Sequence, residues 1–312
     1  MLRNYYSLEP LNQLLEKPNT LAVISHTLGT ISTKVDSVSS GLVRLQKQDL
    51  SEVWESSGSP VVSGVSDDCH WRHCSDFLFI SIAQALINDD YEGAARKAYS
   101  KLLNFIQSSG FEYPIRFWNY MPAINSGNGD LEKYRQFCTG RLEGFQNSNY
   151  QNNDFPAASA VGHHTDDILV YVICSKNQGS HHNNKLQTDA FEYPKQYGKT
   201  SPSFARATSL NTKEKSLFFI SGTASIVGHE TVYEGDLLGQ IKTTETNILQ
   251  LLKQVEKNRQ DIQTMKVYIR NPEDFPVTSQ YLDEAFPECQ KVYLHADICR
   301  SDLLIEIECF CI

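Results

Sequence analysis

Apolar and polar positions repeat in the same order in the two halves of the chain. The apolar run at residues 77–81 resembles the run at 217–221, and each has the composition of a buried strand that ends at a polar turn. Each run is followed by Tyr-Glu-Gly, at 91–93 and at 233–235, and then by apolar residues three and four positions apart. That spacing predicts one amphipathic helix with a buried face in each half.

A second strand and a second helix follow in each half. Residues 115–122 and 265–272 are strand-like, and each run ends in proline, which cannot donate to a sheet ladder and disfavours helix before it. The order strand, helix, strand, helix therefore occurs twice, which indicates a duplicated unit. The second helices are predicted over 131–145, capped by Asp130, and over 279–286, capped by Thr278.

Polar segments divide the chain. The stretch 146–155 is rich in asparagine and lacks aliphatic residues, so it predicts a boundary between two domains, residues 1–150 and 151–312. The length of 312 residues also exceeds the usual size of one compact core. A second polar loop, 177–197, is predicted to interrupt the second half before a strand near residues 204–208.

The net charge of the chain limits the classes of partner that it is expected to bind. The formal net charge of −9 argues against nucleic acid or an anionic membrane surface, because both favour a basic protein face. No apolar run approaches the ~20 residues that span a bilayer, and residues 1–6 show no secretory signal, so we expect a cytoplasmic protein. An anionic small substrate would require a local cluster of arginines to overcome this negative field.

The six residues 69–74, Cys-His-Trp-Arg-His-Cys, are the strongest candidate for a metal site. Four of them could ligate zinc, but their spacing differs from the paired spacings that close a tetrahedral site, and no distant second pair is evident. We expect the ordinary alternative, a protein without a metal or another cofactor.

The second half resembles the RidA (YjgF) superfamily. In that superfamily, a sheet carries two helices on one face, and ligand sites usually lie between the subunits of a trimer. The resemblance implies that Arg300 grips a substrate carboxylate and that Glu306 handles protons or water. It is carried by Phe-Ile-Ser-Gly at 219–222, Gly-Asp-Leu-Leu-Gly-Gln at 235–240, Cys-Arg at 299–300 and Ile-Glu-Ile-Glu at 305–308.

The chain as a whole is more specifically similar to the chorismatases, enzymes built from RidA-like units. That similarity implies an α+β fold of tandem RidA-like domains, the first divergent and the second carrying most of the active site. It also implies cofactor-free removal of pyruvate from chorismate. The first ~75 residues contribute little to the similarity. The matching blocks are residues 116–125, 134–141, 156–162, 203–207, 221–230 and 297–300.

Chorismate is a dianion with two planar carboxylates, which guanidinium groups bind well because they stay charged and donate in pairs. The ordinary alternative for a single arginine is a weak surface ion pair, and for Arg141 the two interpretations are equally balanced. Burial beside a ligand is favoured for Arg116, which lies in an aromatic-rich strand. The predicted substrate-binding residues are Arg116, Tyr120, Arg141, Arg206, Thr223 and Arg300.

Glu306 and Glu308 alternate with aliphatic residues near the C-terminus, so they lie on one face of a predicted strand. Without the resemblance, this pattern is typical of the solvent-exposed face of an edge strand. With it, Glu306 is the candidate proton-transfer residue and Glu308 is structural. Desolvation raises the pKa of such a carboxyl and nearby arginines lower it, so the sequence leaves the direction open. We hypothesise that the bound substrate dianion neutralises the arginines and thereby brings Glu306 to the protonation state that the reaction requires.

Cys299 is the second candidate catalytic residue. A cysteine is usually a small core hydrophobe, but the resemblance places this one beside the substrate ring. It favours the branch that forms 3-hydroxybenzoate over the branches that give 4-hydroxybenzoate or a dihydroxycyclohexadiene carboxylate. A RidA-like imine or enamine deaminase and a non-catalytic module that binds aromatic acids remain alternatives. A homotrimer and a monomer are both open.

Overall fold

A computed structural model describes residues 1–27 and 31–312. Short strands dominate it, as the brief apolar runs predict. The strands are β1 (Leu2–Ser7), β2 (Thr20–Ser25), β3 (Ile31–Thr33), β4 (Ser37–Ser40), β5 (Val43–Arg44), β6 (Ser51–Ser56), β7 (Val62–Ser66), β8 (Cys69–His73), β9 (Phe77–Gln84), β10 (Tyr113–Pro122), β11 (Ala157–His163), β12 (Ile168–Ser175), β13 (Ser180–His182), β14 (Ala207–Asn211), β15 (Ser216–Thr223), β16 (Ile226–Val227), β17 (Glu230–Thr231), β18 (Ile262–Ile269), β19 (Gln290–His295), β20 (Asp297–Ile298) and β21 (Ile305–Cys311). The helices are α1 (Leu11–Glu16), α2 (Tyr91–Ser108), α3 (Lys133–Asn147), α4 (Leu237–Gln254) and α5 (Phe275–Ala285).

Two seven-stranded mixed sheets contain the predicted repeat. Their strand orders are β20-β11-β10-β12-β9-β8-β7 and β13-β14-β15-β21-β18-β19-β5. In each, the strand after the second helix pairs parallel to the strand before it, β11 with β10 and β19 with β18. The helices α2 and α3 cover one face of the first sheet, and α4 and α5 cover one face of the second. The repeated order strand, helix, strand, helix and the α+β architecture are therefore confirmed.

Both second helices begin at other residues than predicted. The helix α3 begins at Lys133 after a 3-10 turn over Gly129–Leu131, and the Asp130 carboxylate instead accepts a hydrogen bond from the Lys199 backbone N–H, at 3.0 Å. The helix α5 begins at Phe275, with Pro276 in its first turn, where a missing N–H costs nothing. Thr278 consequently lies buried inside α5 rather than at its cap.

A third sheet, which the sequence analysis did not predict, takes all five of its strands from the range 2–56. Its order is β1-β6-β2-β4-β3. Trp54 of β6 packs against Trp118 of the first seven-stranded sheet and against Phe219 and Phe310 of the second, with ring centroids 5.1–6.1 Å apart. One apolar core therefore lies between three sheets, on the faces away from the helices.

The division at residue 150 into two domains stays a prediction. The strands β11 and β12 follow that residue and still pair with the first seven-stranded sheet. The short strands β5 and β20 each join the seven-stranded sheet of the other part of the chain. None of the described helices is long and apolar enough to cross a membrane.

Candidate active site

Glu306 lies on a central strand, not on an edge. β21 pairs with β15 on one side and β18 on the other, and Glu306 is opposite Tyr268. The side chains of Glu306 and Glu308 are both buried. The structure therefore excludes the solvent-exposed face that the alternating pattern alone suggests, because neighbouring strands and the facing sheet cover both carboxyls.

A cavity of about 260 Å³ opens beside Glu306 where the two repeated units meet. The first unit contributes residues of α3 and β11, and the second contributes Gly222 and the segment that leads into β21. Five of the eight predicted site residues line it: Arg141, Arg206, Cys299, Arg300 and Glu306. Residues more than 150 positions apart in the sequence are thereby brought to one site.

The Glu306 carboxyl is held in its neutral form. Burial raises its pKa to about 8, the negative charge of Glu308 adds to the effect, and the charges of Arg116 and Arg206 oppose it. No side chain or backbone group among residues 1–27 and 31–312 donates a hydrogen bond to this carboxyl. Desolvation therefore decides the direction of the pKa shift, which the sequence left open. Glu306 is protonated at neutral pH before any substrate binds.

Three buried or half-buried guanidinium groups lining the cavity have N–H groups without partners. They are Nε and Nη2 of Arg141, Nε of Arg206 and Nη2 of Arg300. Within the described chain, none of the three forms an ion pair with a carboxylate. Unpaired buried donors are costly and uncommon in folded proteins, so these groups indicate a site built for an anion.

Aromatic rings and backbone carbonyls fix two of these arginines. Arg300 lies 4.0 Å over the Tyr197 ring and donates from Nη1 to the His229 carbonyl, at 2.9 Å. Arg206 donates from Nη2 to the Tyr193 hydroxyl, at 2.7 Å. These contacts restrain the guanidinium planes and leave other N–H groups free for a ligand.

Arg141 is almost completely buried, with 1% of its surface exposed. Its guanidinium carbon lies 5.4 Å from the centre of the Tyr99 ring. The surface ion pair that was its equally favoured alternative is therefore wrong.

Three predicted substrate-binding residues do not line the cavity. Arg116 instead forms an ion pair with Glu308, at 2.8 Å, and donates a hydrogen bond to Ser159. The Tyr120 hydroxyl contacts the hydroxyls of Tyr171 and Tyr268 at 3.0 and 3.1 Å. These partners come from distant strands, so the local pattern around Arg116 gave no sign of them.

Thr223 also lies outside the cavity wall. Its hydroxyl donates to the Ser221 carbonyl, at 2.8 Å, and its side chain is buried. The predicted roles of Thr223, Arg116 and Tyr120 in direct substrate contact lack support from this geometry.

Glu308 is the centre of a buried network. It accepts hydrogen bonds from Trp118 and Ser159, both at 2.6 Å, and from Tyr268 at 3.1 Å, while Lys266 lies 3.1 Å away. Burial by itself raises the pKa of Glu308, but Lys266, Arg116 and these hydrogen bonds hold it below its ordinary value. Glu308 is therefore an anion two residues from a protonated Glu306.

Sequence reasoning missed Lys266 and the aromatic wall of the cavity. A lysine inside the buried run Met-Lys-Val-Tyr-Ile of β18 was a usable signal, because an unpaired lysine is almost never buried. Tyr193 and Tyr197 belong to the polar loop 177–197, where aromatic residues stand out from their neighbours. Phe204 also lines the cavity.

The Cys299 thiol lines the cavity beside these groups. Burial and the nearby Glu306 raise its pKa to about 12. The sulfur is consequently a neutral thiol rather than a reactive thiolate at neutral pH.

The residues 69–74, with their metal-like composition, do not gather into a site. They form the strand β8 and the turn after it, where neighbouring side chains point to opposite faces. Among the described residues, no group of three or more histidine, cysteine or acidic side chains is placed to hold a metal ion.

Comparison with known proteins identifies the family. Residues 52–174 match the family described as "Chorismatase FkbO/Hyg5-like, N-terminal", and residues 200–312 match "Endoribonuclease L-PSP". The chain is 34% identical to a 3-hydroxybenzoate synthase of Streptomyces hygroscopicus over 84% of its own length and 81% of that protein. The chain belongs to the chorismatase family. It is also 33% identical to a chorismatase of Streptomyces rapamycinicus, over 84% of its length and 82% of that protein.

The fold agrees with this chorismatase identification. A crystal structure of a chorismatase superposes with a TM-score of 0.90 at 28% identity, covering 100% of this chain and 98% of that one. The prediction of a chorismatase made of tandem RidA-like units is therefore confirmed. The matched family ranges leave most of the N-terminal sheet outside them.

In this chorismatase-family protein, we expect the free energy of unfolding of the Glu306→Gln variant to exceed that of the native protein by a margin that grows as the pH rises from about 4.5 to about 8. The folded state holds the Glu306 proton up to a pKa of about 8, whereas the ordinary value is 4.5. Between these values the unfolded state binds fewer protons, so native stability falls by up to about 1.4 kcal/mol per pH unit from this group alone. Glutamine removes that loss, and urea denaturation at several pH values measures it.

The two proteins should be equally sensitive to pH below about 4.5, where the carboxyl is protonated in both states. A stability difference that stays constant from pH about 5 to about 8 would contradict a protonated Glu306.

Proposed function

We propose that this protein converts chorismate to pyruvate and 3-hydroxybenzoate without a cofactor. The observation that carries the proposal is the combination, in one cavity, of a carboxyl protonated at neutral pH with unpartnered guanidinium N–H groups. Chorismate presents two carboxylates to such donors and an enol ether to such an acid. The names of the relatives, 3-hydroxybenzoate synthase and chorismatase, support the same substrate.

In the proposed reaction, Glu306 donates its proton to the terminal methylene carbon of the enolpyruvyl group. The resulting oxocarbenium ion takes up water, and the hemiketal collapses to pyruvate and a ring hydroxyl. The Glu306 carboxylate left behind is stabilised by the nearby positive charge of Arg206 and Arg116. Loss of the second ring hydroxyl as water then aromatises the ring, so water is consumed once and released once.

The cavity residues take distinct roles in this proposal. Arg141, Arg206 and Arg300 hold the two carboxylates, and the aromatic residues Tyr193 and Tyr197 form the cavity wall against which the substrate packs. Cys299 acts as a neutral thiol against the ring. Arg116 and Tyr120 act through Glu308 and its network rather than by touching the substrate.

Incubation of the purified protein with chorismate tests the proposal. Pyruvate release is followed through lactate dehydrogenase, and the ring product is identified by chromatography against the three candidate acids. Pyruvate together with 3-hydroxybenzoate is expected. Pyruvate with only the non-aromatic diol removes the product assignment. Turnover of an imine-forming amino acid without pyruvate from chorismate indicates the deaminase instead.

Replacing Arg300 with methionine is expected to raise the KM for chorismate about tenfold or more, with a smaller change in kcat. Methionine keeps the apolar bulk against Tyr197 but removes the charged donors. Steady-state kinetics with chorismate measures the effect. Arg96→Met is a matched control, since Arg96 is exposed and paired with Glu143. An unchanged KM in the Arg300 variant would exclude a carboxylate contact.

A cytoplasmic location stays a prediction. A homotrimer and a monomer stay the two alternative predictions for the oligomeric state.

A further inference from the structure

A line of buried charges connects the N-terminal sheet to the strand of Glu306. Glu52 lies on β6 of the N-terminal sheet, and its carboxylate is 2.7 Å from Nζ of Lys266 on β18. The same ammonium lies 3.1 Å from Glu308 on β21. The side chains of Glu52 and Lys266 are each 2% exposed, so solvent hardly screens these contacts.

The network is balanced in charge. Glu52 and Glu308 are its two carboxylates, and Lys266 and Arg116 are its two cations. Burial lowers the pKa of Lys266, but Glu308 and Glu52 together hold it above its ordinary value. Removing any single charge therefore leaves a net charge of one unit in a poorly screened region near Glu306.

The other titratable groups that face the network are neutral. Burial lowers the pKa of His26, whose Nε2 lies 3.9 Å from Glu52. Among the described residues, burial also raises the pKa of the neighbouring tyrosines, Tyr6, Tyr120, Tyr171 and Tyr268, and of the Cys309 thiol. The other titratable or charged groups near Glu306 among the described residues line the cavity: Arg135, Arg141, Arg206, Arg300, Glu132, Asp302, Cys299, Tyr134, Tyr193 and Tyr197.

We propose that Glu52 is a positioning residue through which the N-terminal sheet keeps the Glu306 carboxyl protonated. The proposal rests on the proposed function of Glu306 as the acid. Glu52 offsets the charge of Lys266 and so leaves the negative charge of Glu308 free to act on Glu306. Without Glu52, the network carries an excess positive charge, which stabilises the Glu306 anion and removes its proton at lower pH.

A purely structural role does not account for this placement. The N-terminal sheet already packs on both seven-stranded sheets through the Trp54 ring, and apolar residues fill a buried interface at least as well as an ion pair. A cavity of about 20 Å³, large enough for one water, lies beside these charges. The contacts around Glu52 are thus more polar than adhesion of the sheet requires.

The test is the protonation of Glu306 in charge variants of the network. Infrared difference spectra between each protein and its Glu306→Gln counterpart report the protonated carboxyl across pH. Glu52→Gln is expected to lower the Glu306 midpoint by about half a unit or more, and Lys266→Met is expected to raise it. The double variant Glu52→Gln/Lys266→Met restores neutrality, so its midpoint should return close to the native one.

Glu55→Gln is the matched control, because Glu55 lies on the same strand and pairs with Tyr5 outside the network. It should leave the midpoint unchanged. The high-pH limb of chorismate turnover should move with the infrared midpoint in each variant. If Glu52→Gln does not fold, the Lys266 variant and the neutral double variant still decide the matter.

Midpoints that stay at the native value in Lys266→Met and in any folded Glu52→Gln protein overturn the proposal, even if stability falls. The infrared titration needs no substrate. If the native protein releases no pyruvate from chorismate, the proposed function fails, while the midpoints still show whether Glu52 controls the Glu306 proton.

Discussion

Replacing Glu306 with glutamine is expected to lower kcat/KM for chorismate about a thousandfold or more, while chorismate still binds. Glutamine has the shape of the protonated carboxyl but has no proton to give to the methylene carbon. The Glu306 carboxyl accepts no hydrogen bond from the described residues, so the substitution removes no hydrogen bond to it. Pyruvate release at saturating and at low chorismate measures the two kinetic constants.

The native enzyme should also lose activity as the pH rises through about 8, because Glu306 then gives up the proton that the reaction requires. The exposed Glu284→Gln on α5 serves as a control for the chemical change and should behave as the native enzyme does. Near-native turnover by a folded Glu306 variant that binds chorismate would remove Glu306 from the mechanism.

Periodicity was sufficient to predict the repeated unit, because it records which side of each helix and strand is buried. Both units have the predicted order, from β9 to α3 and from β15 to α5. It was not sufficient for the ends of the elements. Asp130 has the chemistry of a cap, yet its carboxylate is taken by the Lys199 backbone, a partner 69 positions away.

The candidate site shows the same limit in its electrostatics. The alternation at 305–308 correctly places Glu306 and Glu308 on one face, but it cannot show what covers that face. Two strands and a facing sheet bury it, which by itself raises the pKa of both carboxyls, and the different partners of the two then separate their pKa values. Glu308 has four hydrogen-bond donors and stays charged, whereas Glu306 has none among the described residues and stays neutral.

The arginines were predicted from resemblance, and their division into two groups follows from tertiary structure. Arg141, Arg206 and Arg300 line the cavity with free N–H groups. Arg116 faces Glu308, which is 192 positions away in the sequence. In the proposed reaction, the three cavity arginines hold the substrate beside Glu306. Arg116 acts on Glu306 from the other side, through its ion pair with the Glu308 carboxylate.

Gly222→Ala is expected to lower kcat about a hundredfold, because displacing a reacting group by about 1 Å has effects of that size. Gly222 lies where the ladder between β15 and β21 is irregular, between Ile220 and Thr223. A methyl group at residue 222 would overlap Oε1 of Glu306 and would lie 3.0 Å from Oγ of Ser159. The carboxyl must therefore move out of its present position.

A double-mutant cycle separates this effect from general damage. In the Glu306→Gln background, Gly222→Ala should cost little further activity, since the proton donor is already absent. Thermal unfolding and chorismate binding should show that the single variant is folded and still holds the substrate. Equal losses in both backgrounds would mean that the glycine supports the cavity as a whole. A loss confined to the native background would mean that the space at residue 222 serves the position of one carboxyl.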